Sequence, residues 1–297
     1  MPLDPGARAL VSHLYGATIA EVMSGEIVAP QHVVPRRLGV KIEEIELGGV
    51  PCRLYRSVEA AASCPALVWA HGGAWVAGNL DMPEAHAVAQ QVAFELAGAV
   101  ISVDYRLAPD AEHPDARDDL ITAFQGAIDA LAIDDERVAL GGASAGGNLA
   151  AAAAIAMRDD GFPKPAALFL AYPATDPIDG PYPTIDRPDE VPETLWLTQP
   201  LTAMGFGRYT GDPVPDDAVP HRCNLTGLPT TLVTTAGYDA LGDQARRFVE
   251  LAEGAGVEVT HHDEPTFLHG YLDMVSQLST ADAALTRHTT WLRAALS

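Results

Sequence analysis

The sequence predicts an α/β fold: a mostly parallel central sheet of about eight strands, with helices on both faces. Short apolar runs recur at Ala66–Ala70, Val100–Val103, Val138–Leu140, Ala167–Ala171, Thr231–Thr235 and Val257–Thr260. Such runs suit strands buried on both sides. Between most of them lie stretches long enough for a helix, among them Ala85–Leu96, Ala116–Leu131 and Gln244–Glu253. Strands alternating with helices favour parallel pairing. The 297 residues are 48% apolar and 20% charged, enough to bury one large core.

Residues 7–24 space Ala7, Leu10, Leu14, Ala17, Ile19, Val22 and Met23 roughly as a helix would. Val40–Leu47 and Cys52–Arg56 alternate on either side of Gly48-Gly49, which predicts a β-hairpin. The strand–helix rhythm then holds until Pro173–Pro229, where 57 residues contain 11 of the 23 prolines. No simple strand-to-helix loop is that long. This stretch is expected to be an insertion folded over one end of the sheet, carrying Trp196, Leu197, Met204, Phe206 and Tyr209.

Charge narrows the function classes. The 18 Lys and Arg against 40 Asp and Glu leave a net charge of −22, which repels phosphate backbones and anionic lipid. Three scattered cysteines, 52, 64 and 223, form neither a disulfide framework nor a zinc pattern, which suggests a reducing compartment. The longest apolar run, Leu149–Met157, cannot span a bilayer. Asp4 and Pro5 stand where a signal peptide would be basic, then apolar. The expectation is a soluble, cytoplasmic protein.

The sharpest chemical signal is Gly142-Ala143-Ser144-Ala145-Gly146, a G-x-S-x-G pattern. Chance would produce ~0.07 copies in a chain of this composition. Arg137–Leu140 reads as a strand before it and Asn148 onward as a helix after it. A serine in so tight a turn needs a strained backbone, and side chains at 142 and 146 would clash. The turn exposes the Ser144 hydroxyl beside a helix N-terminus, which favours developing negative charge. Serine also needs a base to take its proton and an acid to orient that base. Among ten histidines, His269 lies in a loop after the last predicted strand. Asp239 leaves the strand before that, with Asp243 as the alternative acid. The chain order Ser, Asp, His is the one used by α/β-hydrolases. His71-Gly72-Gly73-Ala74-Trp75 follows the Ala66–Ala70 strand, and its small residues let backbone N–H groups turn toward a substrate oxygen together with that of Ala145. His71 itself reads as a structural anchor of this loop, and Trp75 as a substrate contact.

These blocks resemble the hormone-sensitive-lipase-like branch of the α/β-hydrolases, which includes bacterial carboxylesterases and acetyl esterases. His71–Trp75 resembles H-G-G-G-(F/W), and Asp104–Pro109 with His113-Pro114 and Asp118-Asp119 resembles the D-Y-R-L-A-P block. Gly142–Asn148 is similar to G-D-S-A-G-G-N, Tyr172-Pro173 to Y-P, Tyr238–Asp243 to Y-D-P-L-R-D, and His269–Tyr271 to H-G-F. The likeness runs from about residue 65 to the end. It implies an N-terminal cap segment at 1–40 and a catalytic domain at 41–297, with a second cap insertion at about 175–225. It also implies hydrolysis of short- to medium-chain esters by Ser144, Asp239 and His269. The oxyanion would be held by Gly73, Ala74 and Ala145, with Gly72 shaping the loop. Trp75, Trp196 and Phe206 are the candidate pocket residues. No cofactor or metal is implied. The partner would be a small-molecule ester, without nucleic acid or membrane insertion, and a homodimer is open. The alternatives are a catalytically silent binding protein, an amide or lactone hydrolase, and an acyltransferase on the same triad.

Departures from the family pattern are Ala74 for a third glycine, Ala143 for Asp or Thr, Ala240 for proline and Gly242 for arginine. An alanine at 74 is costly if that position needs positive φ. His261-His262-Asp263-Glu264 could suggest a metal, but neighbours on a strand face opposite ways, so it reads as a solvated strand end. Asp134-Asp135-Glu136 and Asp216-Asp217 read as exposed turns.

Overall fold

A computed structural model describes residues 1–17, 21, 33–177 and 186–297. Strands β1 (Val40–Leu47), β2 (Val50–Ser57), β3 (Cys64–Ala70), β4 (Ala99–Val103), β5 (Ile133–Ala143), β6 (Ala167–Ala171), β7 (Thr230–Tyr238) and β8 (Val259–Leu268) form one sheet. Its order is β1-β2-β4-β3-β5-β6-β7-β8. Only β2 runs antiparallel to its neighbours; the rest pair in parallel. The opening hairpin turns on Gly48 at φ +59° and Gly49 at φ +91°. Two consecutive positive φ values match the twist of the flanking strands and suit glycine.

The helices whose full span is described are α1 (Pro5–Leu10), α2 (Pro83–Leu96), α3 (Asp115–Ala130), α4 (Ala145–Asp159), α5 (Gln199–Thr210), α6 (Gly242–Gly254) and α7 (Ser279–Ala295). Strands β3, β4 and β6 are buried along their whole length because helices cover both faces. On one face Val68, Leu140, Leu170 and Val233 pack with Leu120, Phe124, Leu149 and Phe248 of α3, α4 and α6. On the other, Leu67, Trp69, Phe169 and Leu232 pack with Val88, Val92, Leu285 and Leu292 of α2 and α7. The period of two along each strand divides the core in this way.

The N-terminal helix is much shorter than the spacing over 7–24 predicts. Asp4 caps it by accepting from the N–H groups of Gly6 and Ala7 at 2.8 and 3.1 Å. After Leu10 the chain passes into a single 3₁₀ turn, Ser12–Leu14. Gly16 at φ +82° then takes a left-handed conformation that no helix continues through. Ile19, Val22 and Met23 lie outside the described residues.

Two acidic stretches are corrected. Asp134-Asp135-Glu136 belongs to the start of β5, where the register against β3 shifts between Cys64 and Ala66. His261–Glu264 lies inside β8, which runs on to Leu268. His261 Nε2 meets Thr235 Oγ1 at 2.8 Å, while His262 faces the other way, with its Nδ1 2.9 Å from His288 Nδ1. Glu264 is buried and accepts from Arg287 at 2.7 Å. Among the described residues no three His, Cys, Asp or Glu side chains converge as a metal site would need. No described helix is long and apolar enough to cross a membrane.

Between β6 and β7 the described residues form α5 and three 3₁₀ turns. This stretch packs on the first turn of α4, where Asn148 Nδ2 donates to the Ala218 carbonyl at 3.0 Å. The N-terminal segment reaches it too, since the Tyr15 hydroxyl donates to the Glu190 carbonyl at 2.5 Å.

His288 makes a test of this core. It is fully buried, and burial, then His262 and Arg287, hold its imidazole well below the ordinary value. The folded chain keeps this ring neutral, whereas the unfolded chain protonates it below about pH 6.5. The unfolded state therefore gains protons, and stability falls, as pH drops from there. Urea unfolding followed from pH 7.5 to 5 will show a smaller acid loss in His288→Gln than in wild type.

Candidate active site

Ser144 occupies the one-residue corner between β5 and α4, at φ +54° and ψ −115°. The flanking glycines are there for lack of space. A Cβ on Gly142 would come within 2.3 Å of the Gly146 carbonyl oxygen, and one on Gly146 within 2.2 Å of the Ala70 oxygen. The Ser144 N–H donates to the Ala171 carbonyl at 2.9 Å, which ties the corner to the end of β6.

His269 follows β8, and its Nε2 lies 2.9 Å from Ser144 Oγ. Its Nδ1 lies 2.8 Å from Asp239 Oδ2, just beyond β7. The second oxygen of Asp239 accepts the Leu241 N–H at 2.8 Å, which fixes the carboxylate's orientation. Asp243, the alternative acid, instead pairs with Arg246 at 2.9 Å. Burial opposes charging of His269, but the Asp239 carboxylate outweighs it through charge and hydrogen bond. Glu84 and Asp273 add to that effect, and the ring is held above its ordinary value.

The loop after β3 runs through three positive φ values in succession: Gly73 at +118°, Ala74 at +51° and Trp75 at +62°. A Cβ on Gly73 would sit 1.9 Å from the Ala77 oxygen, so only glycine fits there. Among the described residues the N–H groups of Gly73, Ala74 and Ala145 find no protein acceptor. Gly72 differs: its N–H is already donated to Glu84 Oε1 at 2.5 Å. Gly72 therefore shapes the loop and is not an available donor. His71 lies buried beneath it, with Nδ1 2.6 Å from the Gly72 oxygen and its ring stacked on Tyr105. Burial lowers its pKa, in keeping with an anchor and not a base.

Of the three aromatic pocket candidates, Trp75 and Phe206 meet and Trp196 stands apart. Trp75 stacks on Tyr209 at 5.3 Å between centroids and packs on Phe206 at 4.6 Å, joining the loop to α5. Phe206 is wholly buried. Trp196 packs in the cluster on the opposite side of the sheet. The Trp75 indole N–H has no partner among the described residues.

Sequence reasoning missed the buried polar groups that hold these pieces. The Tyr105 hydroxyl donates to the His71 carbonyl at 2.9 Å. Arg106 engages both oxygens of Asp119 at 2.8–3.1 Å. Glu84 passes in the sequence for an ordinary first-turn acid of α2, and only its inward orientation distinguishes it.

A nucleophile corner, a base and acid on the next loops, and unengaged N–H groups, all at the carboxyl ends of a parallel sheet, are the features of an α/β-hydrolase. Comparison with known proteins agrees. A family model described as the alpha/beta hydrolase fold matches residues 67–273. Carboxylesterase NlhH of Mycobacterium tuberculosis is 31% identical over 95% of this chain and 90% of its own. The arylesterase of Saccharolobus solfataricus is 28% identical, over 92% and 93%. The structure of a hyperthermophilic esterase from Pyrobaculum calidifontis superposes with a TM-score of 0.82, at 29% identity and 99% coverage of both chains. The chain belongs to the alpha/beta hydrolase fold family, in its hormone-sensitive-lipase-like branch.

Two outcomes follow. If neutral His269 is the base, activity falls as pH drops through a midpoint above the free imidazole value of about 6.5, read from a pH profile of kcat/KM. Separately, Ala74→Gly relieves a left-handed alanine that costs about 1–2 kcal/mol, partly offset by glycine's chain entropy. A net gain of up to about 1 kcal/mol in urea unfolding is expected.

Proposed function

We propose that this protein is a serine carboxylesterase acting on short- to medium-chain esters, with Ser144, His269 and Asp239 as its triad. The observation that carries the reading is the continuous hydrogen-bonded chain from Ser144 Oγ through His269 to Asp239, at 2.9 and 2.8 Å. The esterase relatives support the same chemistry.

In this mechanism Ser144 Oγ attacks the ester carbonyl carbon while its proton passes to His269 Nε2. Asp239 stabilises the imidazolium that forms. The carbonyl oxygen becomes an oxyanion facing the N–H groups of Gly73, Ala74 and Ala145 beside the α4 N-terminus. The imidazolium then gives its proton to the departing alcohol, leaving an acyl-Ser144 ester. Water, deprotonated by the same histidine, attacks that ester and releases the acid. Side chains and backbone supply every proton and charge in this sequence, so the chemistry calls for no cofactor.

Residues 1–40 and about 175–225 would act as a two-part cap. The contact between Tyr15 and Glu190 supports this, and so does the packing of α5 on Trp75. A closed cap favours small acyl groups over a lipid surface. Three free cysteines support a reducing, cytoplasmic setting.

Purified protein and Ser144→Ala are to be assayed on p-nitrophenyl esters from acetate to dodecanoate. Hydrolysis of the shorter esters, falling by a factor of about 10³ or more in the variant, is expected. A folded wild type that cleaves none of them overturns the reading and brings a silent binding protein forward.

A further inference from the structure

Glu84 stands in the first turn of α2, yet it is only 2% exposed and turns toward the site. Oε1 accepts the Gly72 N–H at 2.5 Å, and Oε2 accepts the Tyr172 hydroxyl at 2.7 Å. Two donors, one on each oxygen, suit a carboxylate. Gly72 leads the oxyanion loop, and the Tyr172 ring meets that of His269 edge-on at 5.0 Å. A Cβ on Gly72 would lie 2.6 Å from Oε1 and 3.3 Å from Ser144 Cβ, so the carboxylate sits close behind the nucleophile. Asp273, four residues past His269, accepts the Glu84 backbone N–H at 3.1 Å.

We propose that Glu84 is a positioning residue of this site, clamping the oxyanion loop to the Tyr172 wall of His269 and placing a fixed negative charge behind the imidazolium. This rests on the ester-hydrolase reading. The groups facing His269 are Asp239 beyond β7, Glu84 on α2, Asp273 after β8, and the ring of Tyr172. His71 and Tyr105 lie beneath the loop. Burial, then the charge of Glu84, pushes the Asp273 carboxyl well above its usual range. Burial and Glu84 also raise the Tyr172 phenol, which keeps it a donor. Removing the Glu84 charge destabilises the imidazolium, so the His269 midpoint must fall and the transition state must lose support.

The test compares wild type with Glu84→Gln, Glu84→Ala and Glu84→Asp. Gln keeps the shape without the charge, Ala removes both, and Asp restores the charge at shorter reach. For p-nitrophenyl acetate, kcat is expected to fall about tenfold in Gln and about a hundredfold in Ala, with KM little changed. The His269 ring, followed by NMR across pH, is expected to titrate lower in Gln and Ala and near wild type in Asp. Wild-type kcat and an unmoved His269 midpoint in folded Glu84→Gln overturn the proposal. So does a variant altered only in thermal stability, which makes Glu84 a fold residue. A wild type that cleaves no ester sinks the esterase reading instead, while the NMR midpoint still decides what Glu84 does to His269.

Discussion

The arrangement depends on one close approach of backbone to backbone. The first turn of α4 is pressed against the end of β3, so a Cβ at Gly146 would lie 2.2 Å from the Ala70 oxygen and 2.4 Å from that of His71. Gly142 faces the same crowding, 2.7 Å from the Ala70 oxygen. The nucleophile corner and the oxyanion loop therefore meet as main chain, and no rotamer choice separates them. Ser144 adds the third strand by donating to Ala171 and accepting from the Ala174 N–H. The ends of β3, β5 and β6 are locked at a single residue, so the distance from Oγ to the facing N–H groups is a property of the sheet.

That approach leaves the loop after β3 in costly geometry. Three successive residues with positive φ, two of them not glycine, cost of order 1–3 kcal/mol each for the non-glycine pair. Such strain persists only where the surroundings over-determine it. Here Val76 and Ala77 donate back to the Gly73 carbonyl, and Ala108 donates to that of Trp75 at 2.9 Å. Tyr105 holds the His71 carbonyl from below, and Arg106, bidentate on Asp119, fixes the segment that carries Tyr105. The D-Y-R-L-A-P block touches no reacting atom in this geometry. Its work is to hold the loop that does.

Main-chain constraints of this kind leave marks in a sequence, and buried polar partnerships mostly do not. Gly142 and Gly146 announce the corner because only glycine survives there, and the apolar runs announce the strands because both faces are covered. His269 and Asp239 could be placed by chain order. Glu84 could not, because an acid at the start of a helix is explained equally well by the helix dipole. Nor could Glu264, whose inward turn depends on Arg287, 23 residues away. The aromatic residues of the insertion are undecided by sequence for a related reason. Their count shows that something apolar is covered, but whether they face a ligand or one another is settled by packing alone.

The departure at position 74 ties these strands of argument together. An alanine at φ +51° places a methyl group on the side of the loop facing α5. Across from it stands Gly205 of α5, where an added Cβ would lie 3.7 Å from Ala74 Cβ and 3.5 Å from the Trp75 ring. The helix thus presents a position without a side chain to the loop, and an alanine there would meet the loop only at ordinary van der Waals distance. Phe206 and Tyr209 both pack on the Trp75 ring and extend that seam. Any shift of α5 must disturb Trp75, and any shift of Trp75 moves the backbone that carries the Ala74 N–H. The position of α5 and the backbone that carries the Ala74 N–H are therefore mechanically linked in this chain through three aromatic rings and one methyl group.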